Sequence, residues 1–482
     1  RTRGLGNRHG RIGSLHPMDR PSEREPRMTP AILGTRIARL GFRGGVHPAG
    51  RKSLAAERPV EVLPTPGEVL IPLLQHLGAP CEPTCKPRDE VALGDVIGQS
   101  DKFVSAPVHA SISGTVARAA MTTLPNGRHV AALRIKAADA QPLAGRALWD
   151  DVYGGPWPTD GLDRHEPSEI VDAARNAGLV GLGGAAFPTH VKLARNDAKP
   201  IHALLINGCE CEPYLAADDR LMVEAPEPIV AGALLARRAT GARRVEICVE
   251  DNKPAAVDRL REAVRGTDLG VRVLKTKYPQ GGEKQLILAA LGAEVPAGGL
   301  PLDIGVVVMN VGTAAALARA VLRGKPLTHR IVTVSGAGIR EPKNLLVPVG
   351  TSYAALLEHC GGLSDHAARV VSGGPMMGFS LTDLRAPVTK GASGVTVLAG
   401  AEIQRAAETP CIRCGRCVEV CPVRIVPTKL AQAVRVDYPE WFETYHVTAC
   451  IECGCCAYAC PAGIPLVQLI RIGKIKHAAR KS

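Results

Sequence analysis

Short segments in which apolar and polar residues alternate dominate residues 60–136. Residues 91–98 consist of an apolar stretch, a turn at Gly94 and Asp95, and a second apolar stretch, which predicts two short strands. Residues 105–116 alternate with a period of two and end in a tight turn, which predicts a half-buried strand. We therefore predict a small domain of short strands here.

Residues 165–320 change to a succession of helices and strands. The pattern predicts helices over residues 168–177 and from the turn at 281–283 through 291. Continuous apolar runs predict buried strands at 203–206, 245–249 and 305–309. Asn310 follows the last of these strands and is predicted to cap the next helix. This alternation is typical of a doubly wound α/β domain.

The last third of the chain contains a smaller unit and a helical end. A strand at 331–336, a helix at 353–360 and a strand and turn at 371–378 predict a β-grasp-like fold. A helical pattern surrounds Leu430 and Val434, and residues 466–481 form a basic amphipathic helix. We expect this helix to pack over the cysteine-rich region, and contact with a membrane or partner is the alternative.

The length of the chain predicts several domains, and the element patterns above predict that these are α/β and α+β domains. Its 482 residues correspond to about three or four domains. It contains no run of 18 apolar residues and no signal peptide, which predicts a soluble cytoplasmic polypeptide. Residues 1–30 are predicted to be a disordered basic tail, with the true start of the chain near Met28.

The net charge of +13 is concentrated at the two ends of the sequence. Residues 1–58 carry a net charge of +9 and residues 471–482 carry +5, which leaves the body at −1. A neutral body argues against a fold that reads nucleic acid. The basic ends favour an acidic partner or an anionic membrane surface, and solvated tails are the alternative.

Two cysteine runs near the end of the sequence have the same spacing. In each run, three cysteines at intervals of three residues are followed by a fourth and a proline; the runs are Cys411, Cys414, Cys417, Cys421 and Cys450, Cys453, Cys456, Cys460. This spacing is typical of a pair of [4Fe–4S] clusters, in which the fourth cysteine of each run binds the other cluster. Zinc and disulfides are the alternatives. Cys455 lies outside the pattern and is interpreted as a spare thiol.

Glycine-rich turns follow several predicted strands and helices of the α/β region. Residues 181–184 form one such turn, residues 281–283 form another, and Glu210 and Glu212 lie in an acidic turn after the strand at 203–206. Backbone N–H groups at such turns bind phosphates, and the acids suit a ligand that also carries ribityl or ribose hydroxyls. Ordinary α/β turns are the alternative.

Two resemblances extend these predictions. The strands at 60–136 resemble the flattened barrel of biotinyl and lipoyl carrier domains, but Lys102 fits their modification motif loosely and is predicted to stay unmodified. Residues 42–48, 105–116, 206–219, 277–284 and 333–348, together with the doubled cysteine runs, resemble RnfC, the peripheral subunit of Rnf ion-pumping electron transport complexes.

The RnfC resemblance implies an order of domains. After the tail come an N-terminal barrel-sandwich domain (31–145), an FMN- and NADH-binding domain similar to the complex I flavoprotein (150–325), an SLBB-like β-grasp domain (326–400) and an α-helical dicluster ferredoxin domain (401–482). The barrel domain is interpreted as a docking or scaffolding module.

The similarity to the complex I flavoprotein also implies which residues bind the flavin and NADH. The glycine loop implies phosphate contacts, with Phe187 stacking on nicotinamide and Lys192 near the phosphate. Leu182 and Cys209 depart from the family pattern, which has Arg and Asp there. The full implied set is Gly181, Gly183, Gly184, Phe187, Lys192, Asn207, Glu210, Glu212, Gly281, Gly282 and Glu283.

The function implied is that of a peripheral oxidoreductase and translocase subunit at the cytoplasmic face of the bacterial inner membrane. It would pass electrons between NAD(H), FMN and two [4Fe–4S] clusters, a coupling of two-electron and one-electron carriers that flavins provide. No catalytic acid, base or nucleophile is expected. The implied partners are the integral membrane and flavin-carrying subunits of the complex, with ferredoxin as a further candidate.

Other classes of protein fit parts of the sequence. A soluble reductase of the cobalamin-reductase type has a similar set of domains, but carries the barrel-like domain at its other end. A hydrogenase or formate dehydrogenase subunit would share only the flavin domain, and the related sodium-pumping subunit lacks the clusters. A non-catalytic scaffold in which only the clusters are active is the alternative from a different class.

Overall fold

A computed structural model of the chain describes residues 41–195, 198–403 and 407–480. The tail predicted over residues 1–30 and the start predicted near Met28 lie outside the described residues.

The first described strand, β1 (Val60–Val62), precedes a domain of two small antiparallel sheets. One sheet has the order β2-β9-β7-β4, with β8 paired to β9, and the other has the order β3-β5-β6. The strands of these two sheets are β2 (Glu68–Pro72), β3 (Glu82–Pro83), β4 (Glu90–Val91), β5 (Val96–Gln99), β6 (Val108–His109), β7 (Gly114–Val116), β8 (Ala120–Thr123) and β9 (His129–Ala137). The predicted barrel-sandwich architecture is confirmed.

The single half-buried strand predicted over residues 105–116 is wrong. This stretch contributes β6 to one sheet and β7 to the other. Ser105, His109 and Ser111, the positions that the alternation predicts to be exposed, are buried. Sequence alternation identifies one buried face, whereas this segment is covered on both faces because it crosses between the two sheets.

A four-stranded parallel sheet with the order β12-β11-β10-β13 forms the next domain. Each predicted helix and strand between 165 and 320 is present, which confirms the doubly wound α/β fold. The elements are α1 (Gly145–Val152), α2 (Pro167–Asn176), α3 (Thr189–Leu193), β10 (Ala203–Gly208), α4 (Ala217–Glu224), α5 (Pro226–Thr240), β11 (Arg244–Glu250), α6 (Pro254–Ala263), β12 (Gly270–Leu274), α7 (Glu283–Leu291), β13 (Val306–Asn310) and α8 (Val311–Arg323).

The strand order of this sheet reverses at β10. The chain proceeds from β10 outward through β11 to β12, and then returns to place β13 on the other side of β10. Open α/β sheets bind ligands in the crevice outside the carboxyl ends of the strands at such a switch point. The fold therefore directs attention to the carboxyl ends of β10 and β13, where Asn207 and Asn310 lie.

A six-stranded mixed sheet with the order β1-β15-β14-β18-β16-β17 forms the β-grasp domain. Its elements are β14 (His329–Ser335), β15 (Lys343–Pro348), α9 (Tyr353–His359), β16 (Ala367–Ser372), β17 (Phe379–Ser380) and β18 (Gly394–Ala399). The predicted strand–helix–strand order is confirmed. β1 pairs in parallel with β15 and so completes this sheet, although the prediction placed it within the domain at 31–145.

Short helices form the C-terminal domain, and the two cysteine runs have matching backbones. Arg413 and Glu452, the second residues after the first cysteine of each run, have φ angles of 56° and 57°. Gly415 and Gly454 have φ angles of 77° and 83°. The helices are α10 (Arg416–Glu419), α11 (Pro427–Arg435), α12 (Glu440–Thr444), α13 (Cys455–Tyr458) and α14 (Leu466–Ala479).

The last helix lies against the cysteine-rich core, as predicted. Val467 and Ile470 of α14 line the same cavity as five of the cysteines. Across the described residues, no helix combines the length and the apolar character needed to span a membrane.

Candidate functional site

The fold gathers the eight run cysteines into two sets of four. The first cysteine set, which lines one cavity, is Cys411, Cys414, Cys417 and Cys460. The second cysteine set, which lines the other cavity, is Cys421, Cys450, Cys453 and Cys456. In both cavities the fourth cysteine of one run joins the first three of the other. This crossed arrangement is the one that the sequence pattern predicts for two [4Fe–4S] clusters.

The thiols of both sets fit a cluster better than the alternatives. All fifteen cysteines of the chain are free, so the structure contains no disulfide. Within the described part of the chain, no three His, Cys, Asp or Glu side chains converge closely enough for a single metal ion such as zinc. Backbone N–H groups also point at sulfur, as in the 3.4 Å bond from the Glu452 N–H to the Cys450 Sγ.

Cys455 lies beside the second cysteine set but is not one of its four members. Its side chain is fully buried and packs with Val46, Tyr278 and Cys453. It also lines the cavity of that set. Its interpretation as a spare thiol stays a prediction.

The glycine loop at 181–187 lies at the edge of the switch-point crevice. Its ends are closed by a 2.8 Å bond from the Gly181 N–H to the Phe187 carbonyl and a 2.9 Å bond from the Leu182 N–H to the Thr313 hydroxyl. Between these bonds, the N–H groups of the exposed residues 183–185 have no acceptor among the described residues. Three consecutive free N–H groups suit the phosphate of a bound nucleotide. The loop thus fits the phosphate-binding role implied for it.

Two asparagines form the floor of the crevice at the ends of β10 and β13. The Asn207 side chain donates to the Gly281 carbonyl at 2.9 Å, which joins the acidic turn to the second glycine turn. Asn310 lies next to Gly183 and donates to the Asp218 carboxylate at 2.7 Å. Asn310 was predicted only as a helix cap, a role that the structure confirms. Asn310 directly follows a predicted buried strand, and this position in the sequence could have identified it as a site residue as well.

Lys192 and Glu283 lie opposite each other at the side of the crevice. The Lys192 Nζ is 2.7 Å from the Glu283 Oε1 and also donates to the Val308 carbonyl at 3.2 Å. Both side chains are about one-third exposed. Two residues implied separately by the resemblance therefore form one ion pair, and Gly282 caps the helix that carries Glu283.

The carboxylates of the acidic turn accept hydrogen bonds from backbone N–H groups of the protein itself. Glu210 accepts from the N–H groups of Asp218 and Asp219 at the start of α4. Glu212 accepts from the N–H groups of Met376 and Met377 in the β-grasp domain, at 3.1 and 2.9 Å. Burial raises the pKa of Glu212 to about 7. Glu210 also lies 4.0 Å from the Lys52 Nζ. That these two acids bind ligand hydroxyls stays a prediction.

Two lysines near the crevice were not predicted from the sequence. The Lys253 Nζ, fully buried, lies 3.2 Å from the Glu250 Oε2 and donates to the Cys209 carbonyl at 2.6 Å. Lys52 donates to the carbonyls of Glu210, Glu212 and Leu215. Together these lysines hold the backbone of the acidic turn from both sides. Neither lies in a recognisable motif, so only their positions in space identify them.

The crevice and the second cysteine set meet at Tyr278. Its hydroxyl donates to the Cys453 carbonyl at 2.7 Å, and its side chain is 2% exposed. Three residues further on, the Gly281 N–H lies 3.3 Å from the Cys211 Sγ in the acidic turn. The loop at 278–281 therefore touches a cysteine-set residue at one end and the floor of the crevice at the other.

Comparison with protein families assigns each domain a known relative. Residues 40–140 match the RnfC barrel sandwich hybrid domain, 174–319 the Nuo51 FMN-binding domain, 331–380 the SLBB domain and 410–464 the 4Fe-4S dicluster domain. The predicted order of domains and the predicted cofactors, FMN and [4Fe–4S] clusters, are confirmed.

Curated relatives resemble nearly the whole chain. The C subunit of the proton-translocating ferredoxin:NAD(+) oxidoreductase complex of Clostridium ljungdahlii is 43% identical over 91% of this chain and 94% of that protein. The C subunit of the Na(+)-translocating ferredoxin:NAD(+) oxidoreductase complex of Acetobacterium woodii is 43% identical over 81% and 86%. The C subunit of the ion-translocating oxidoreductase complex of Rhodobacter capsulatus is 40% identical over 94% and 86%.

Proposed function

The chain belongs to the RnfC family, the C subunits of ion-translocating oxidoreductase complexes, and from this we propose that it carries electrons between NAD(H) and the rest of such a complex. It is an oxidoreductase subunit that binds FMN and two [4Fe–4S] clusters. When bound, the flavin exchanges two electrons with nicotinamide and single electrons with iron–sulfur clusters.

The residues of the crevice support a positioning role. The free N–H groups of residues 183–185 are placed to hold the flavin phosphate, and Asn207 and Asn310 to orient the ligand above the strand ends. Phe187, the half-buried last residue of the loop, is available to stack on nicotinamide. The buried pair of Lys253 and Glu250 holds the acidic turn rigid, so that the floor of the crevice keeps its shape.

The observation that carries the proposal is the contact between the crevice and the second cysteine set. Tyr278 lies at the boundary between the two. The side chains there pack directly against each other as one cluster, which consists of Val46, Tyr278, Cys453 and Cys455. Electron transfer requires such closeness between successive carriers.

We place the subunit on the cytoplasmic face of the inner membrane as a peripheral component. NAD(H) is a cytoplasmic substrate, and the described part of the chain contains no helix able to span the bilayer. The integral membrane and flavin-carrying subunits of the complex are the proposed partners, with ferredoxin as a further one.

The test is a titration of the reconstituted holoprotein with NADH under anaerobic conditions. We expect the flavin absorbance to bleach and the electron paramagnetic resonance signals of reduced [4Fe–4S] clusters to appear together. Bleaching without cluster signals would contradict the relay. If neither the flavin nor the clusters were reduced, the chain would be a non-catalytic scaffold. Asn207→Ala and Asn310→Ala should weaken flavin retention, with Asn126→Ala on the barrel surface as the control.

A soluble reductase of the cobalamin-reductase type is disfavoured by the domain order. The barrel-sandwich domain of this chain precedes the flavin domain and matches the RnfC type over residues 40–140. Copurification of the tagged chain with membranes that contain the other subunits would separate the two proposals, since a soluble reductase would stay in the supernatant.

A further inference from the structure

The two cysteine sets differ in how much of them the protein covers. In the first cysteine set, Cys411 and Cys414 are exposed, and only Cys417 is buried. In the second cysteine set, three of the four cysteines are buried and Cys450 is half-buried. Because the two runs have the same spacing and matching backbone angles, the difference comes from their surroundings.

Three segments from other domains enclose the second cysteine set. The N-terminal segment 42–46 donates the Gly45 N–H to the Val420 carbonyl at 2.8 Å, next to Cys421. Tyr278 contacts Cys453 from the α/β domain. The β-grasp loop packs so closely that a Cβ added at Gly454 would lie 2.6 Å from the Met376 carbonyl oxygen.

Among the described residues, nothing covers the equivalent surface of the first cysteine set. A Cβ added at Gly415, the counterpart of Gly454, would meet none of their atoms within 4 Å. Ile412, between two of the cysteines, is 67% exposed, and Val418 on α10 is also exposed. A reactive cofactor site bordered by exposed apolar side chains is the kind of surface that a partner protein covers.

The charges around the two sets also differ at equivalent positions. In the second run, Glu452 accepts ion pairs from Arg471 at 2.8 Å and from Lys474 at 2.7 Å. In the first run, the counterpart of Glu452 is Arg413, and neither Arg413 nor Arg416 has a carboxylate partner among the described residues. Two other arginines further along the same domain, Arg424 and Arg435, each pair with a glutamate.

Two unpaired arginines beside an exposed cluster site have a clear electrostatic consequence. A [4Fe–4S] core held by four thiolates is an anion, so two iron–sulfur proteins repel each other where their centres approach. Cations on one surface and carboxylates on the other offset this repulsion and speed the encounter. Glu419 is the one acid between Cys411 and Cys421, so this segment is net positive.

We propose that the exposed loop from Cys411 to Arg416, with Ile412 and Val418, is the docking face for an acidic protein that carries a one-electron centre. The inference rests on the proposed function and names the chemistry of its partner. Electrons pass between this chain and that partner at the first cysteine set, since the second is covered by the chain's own domains. Arg413 and Arg416 select the partner's carboxylates, and Ile412 supplies the apolar contact.

Binding of an acidic probe tests the docking face. The probe is rubredoxin, a small acidic protein with one iron atom, titrated calorimetrically against the reconstituted holoprotein. We expect Arg413→Glu combined with Arg416→Glu to weaken binding about tenfold or more at low salt. The wild-type affinity should fall towards that of the variant at ~0.5 M salt, where exposed charges are screened.

A matched control is available on the barrel domain. Arg118 and Arg128 are exposed and have no carboxylate partner among the described residues, so Arg118→Glu combined with Arg128→Glu gives the same change in net charge. This variant should bind rubredoxin within about twofold of wild type if the effect is local. Iron content and visible absorbance show whether each variant holds both clusters. If the Arg413→Glu, Arg416→Glu variant does not hold them, the Arg413→Gln, Arg416→Gln variant replaces it in the titration.

Several outcomes would overturn the proposal. Equal weakening by both variant pairs would show a general charge effect, and no weakening by either would remove the role of the arginines. Loss of binding to phosphatidylglycerol vesicles, with rubredoxin binding unchanged, would make the loop a membrane contact instead. Failure of NADH to reduce the clusters in wild type would contradict the proposed function alone, because probe binding does not depend on NADH.

Discussion

At the scale of single residues, one hydroxyl makes the polar contact between the crevice and the second cysteine set. Tyr278 is enclosed by Val46 and Cys455 and donates to a backbone carbonyl of the cysteine-run loop. Sequence inspection drew attention to the glycines that follow it and not to Tyr278 itself, because a tyrosine before a turn has no recognisable pattern. Its partner lies 175 positions away in sequence, and only the folded chain brings the two together.

Removing this hydroxyl should weaken the second cluster selectively. Tyr278→Phe leaves the buried Cys453 carbonyl without its donor, at a cost of about 1–3 kcal/mol to that loop. We expect faster loss of iron from the second cysteine set to a chelator, followed by the cluster signals in electron paramagnetic resonance. Tyr353→Phe is the control, since it removes a buried hydroxyl contact with Ser372 in the β-grasp domain. Equal loss from both sets would contradict this role for Tyr278.

At the scale of elements, the N-terminal segment 42–46 connects the α/β domain with the cysteine-rich domain. Val46 forms an antiparallel bridge with Tyr278, and the Lys277 Nζ donates to the Phe42 carbonyl at 2.9 Å. The glycines in this segment are needed for close approach: Gly44 has a φ of 71°, and a Cβ there would lie 2.7 Å from the Cys421 carbonyl oxygen. In the sequence, residues 42–48 stand out through the RnfC resemblance, and the contacts of this segment were not predictable.

A methyl group at this position should displace the segment from the cluster domain. Gly44→Ala places a side chain on a left-handed backbone and creates a steric clash. We expect this to destabilise the packing of the segment by about 1–3 kcal/mol and so to lower the occupancy of the second cluster. Gly50→Ala is the matched control, because its φ angle is not positive and a Cβ there meets no atom of the described part of the chain within 4 Å. Iron content and protease sensitivity near residue 44 provide the measurement. Unchanged iron content in Gly44→Ala would show that the segment does not support the cluster.

At the scale of the whole molecule, Lys390 lies where three domains meet. This fully buried side chain, in the β-grasp domain, donates to the Pro107 carbonyl of the barrel at 2.6 Å and to the Gly178 carbonyl of the α/β domain at 2.8 Å. The barrel also touches the glycine loop directly, through the Leu77 N–H and the Ala186 carbonyl at 3.2 Å. The barrel domain therefore contacts the glycine loop, and its role as a docking or scaffolding module stays a prediction.

Burial lowers the pKa of Lys390 to about 7, and the sign of the resulting pH dependence follows. Between about pH 7 and the ordinary value of 10.5, the unfolded chain holds the proton that the folded chain has lost, so stability rises with pH by at most about 1.4 kcal/mol per unit. His76 and His109 titrate well below this window because burial lowers their pKa values to about 4 and about 3. Burial raises the pKa of Cys81 above 9.

Replacing this lysine should remove that slope. We expect the unfolding midpoint of Lys390→Met to change less between pH 7 and 8.5 than that of wild type, measured by thermal denaturation. Lys102→Met is the control, since Lys102 is exposed on the barrel surface. A slope that persists in Lys390→Met would assign the pH dependence to other groups.

The sequence by itself determined the parts of this protein that depend on neighbours along the chain. The eight cysteines, the parallel strands and the glycine turns follow from local spacing and from apolar runs. The crossed assignment of Cys421 and Cys460 also followed from the doubled run, because in this pattern the fourth cysteine of each run binds the other cluster.

Only the tertiary structure decided how these parts are covered and joined. It directed Glu212 to the backbone of the β-grasp domain, moved β1 into that domain's sheet, and buried residues 105–116 on both faces. It also gave the two cysteine runs different surroundings although their spacing is identical. Among the described residues, Met376 packs against Gly454 of the second run, whereas nothing packs against Gly415 of the first. Such differences arise from segments distant in sequence, whose packing depends on shape and charge in space rather than on any local pattern.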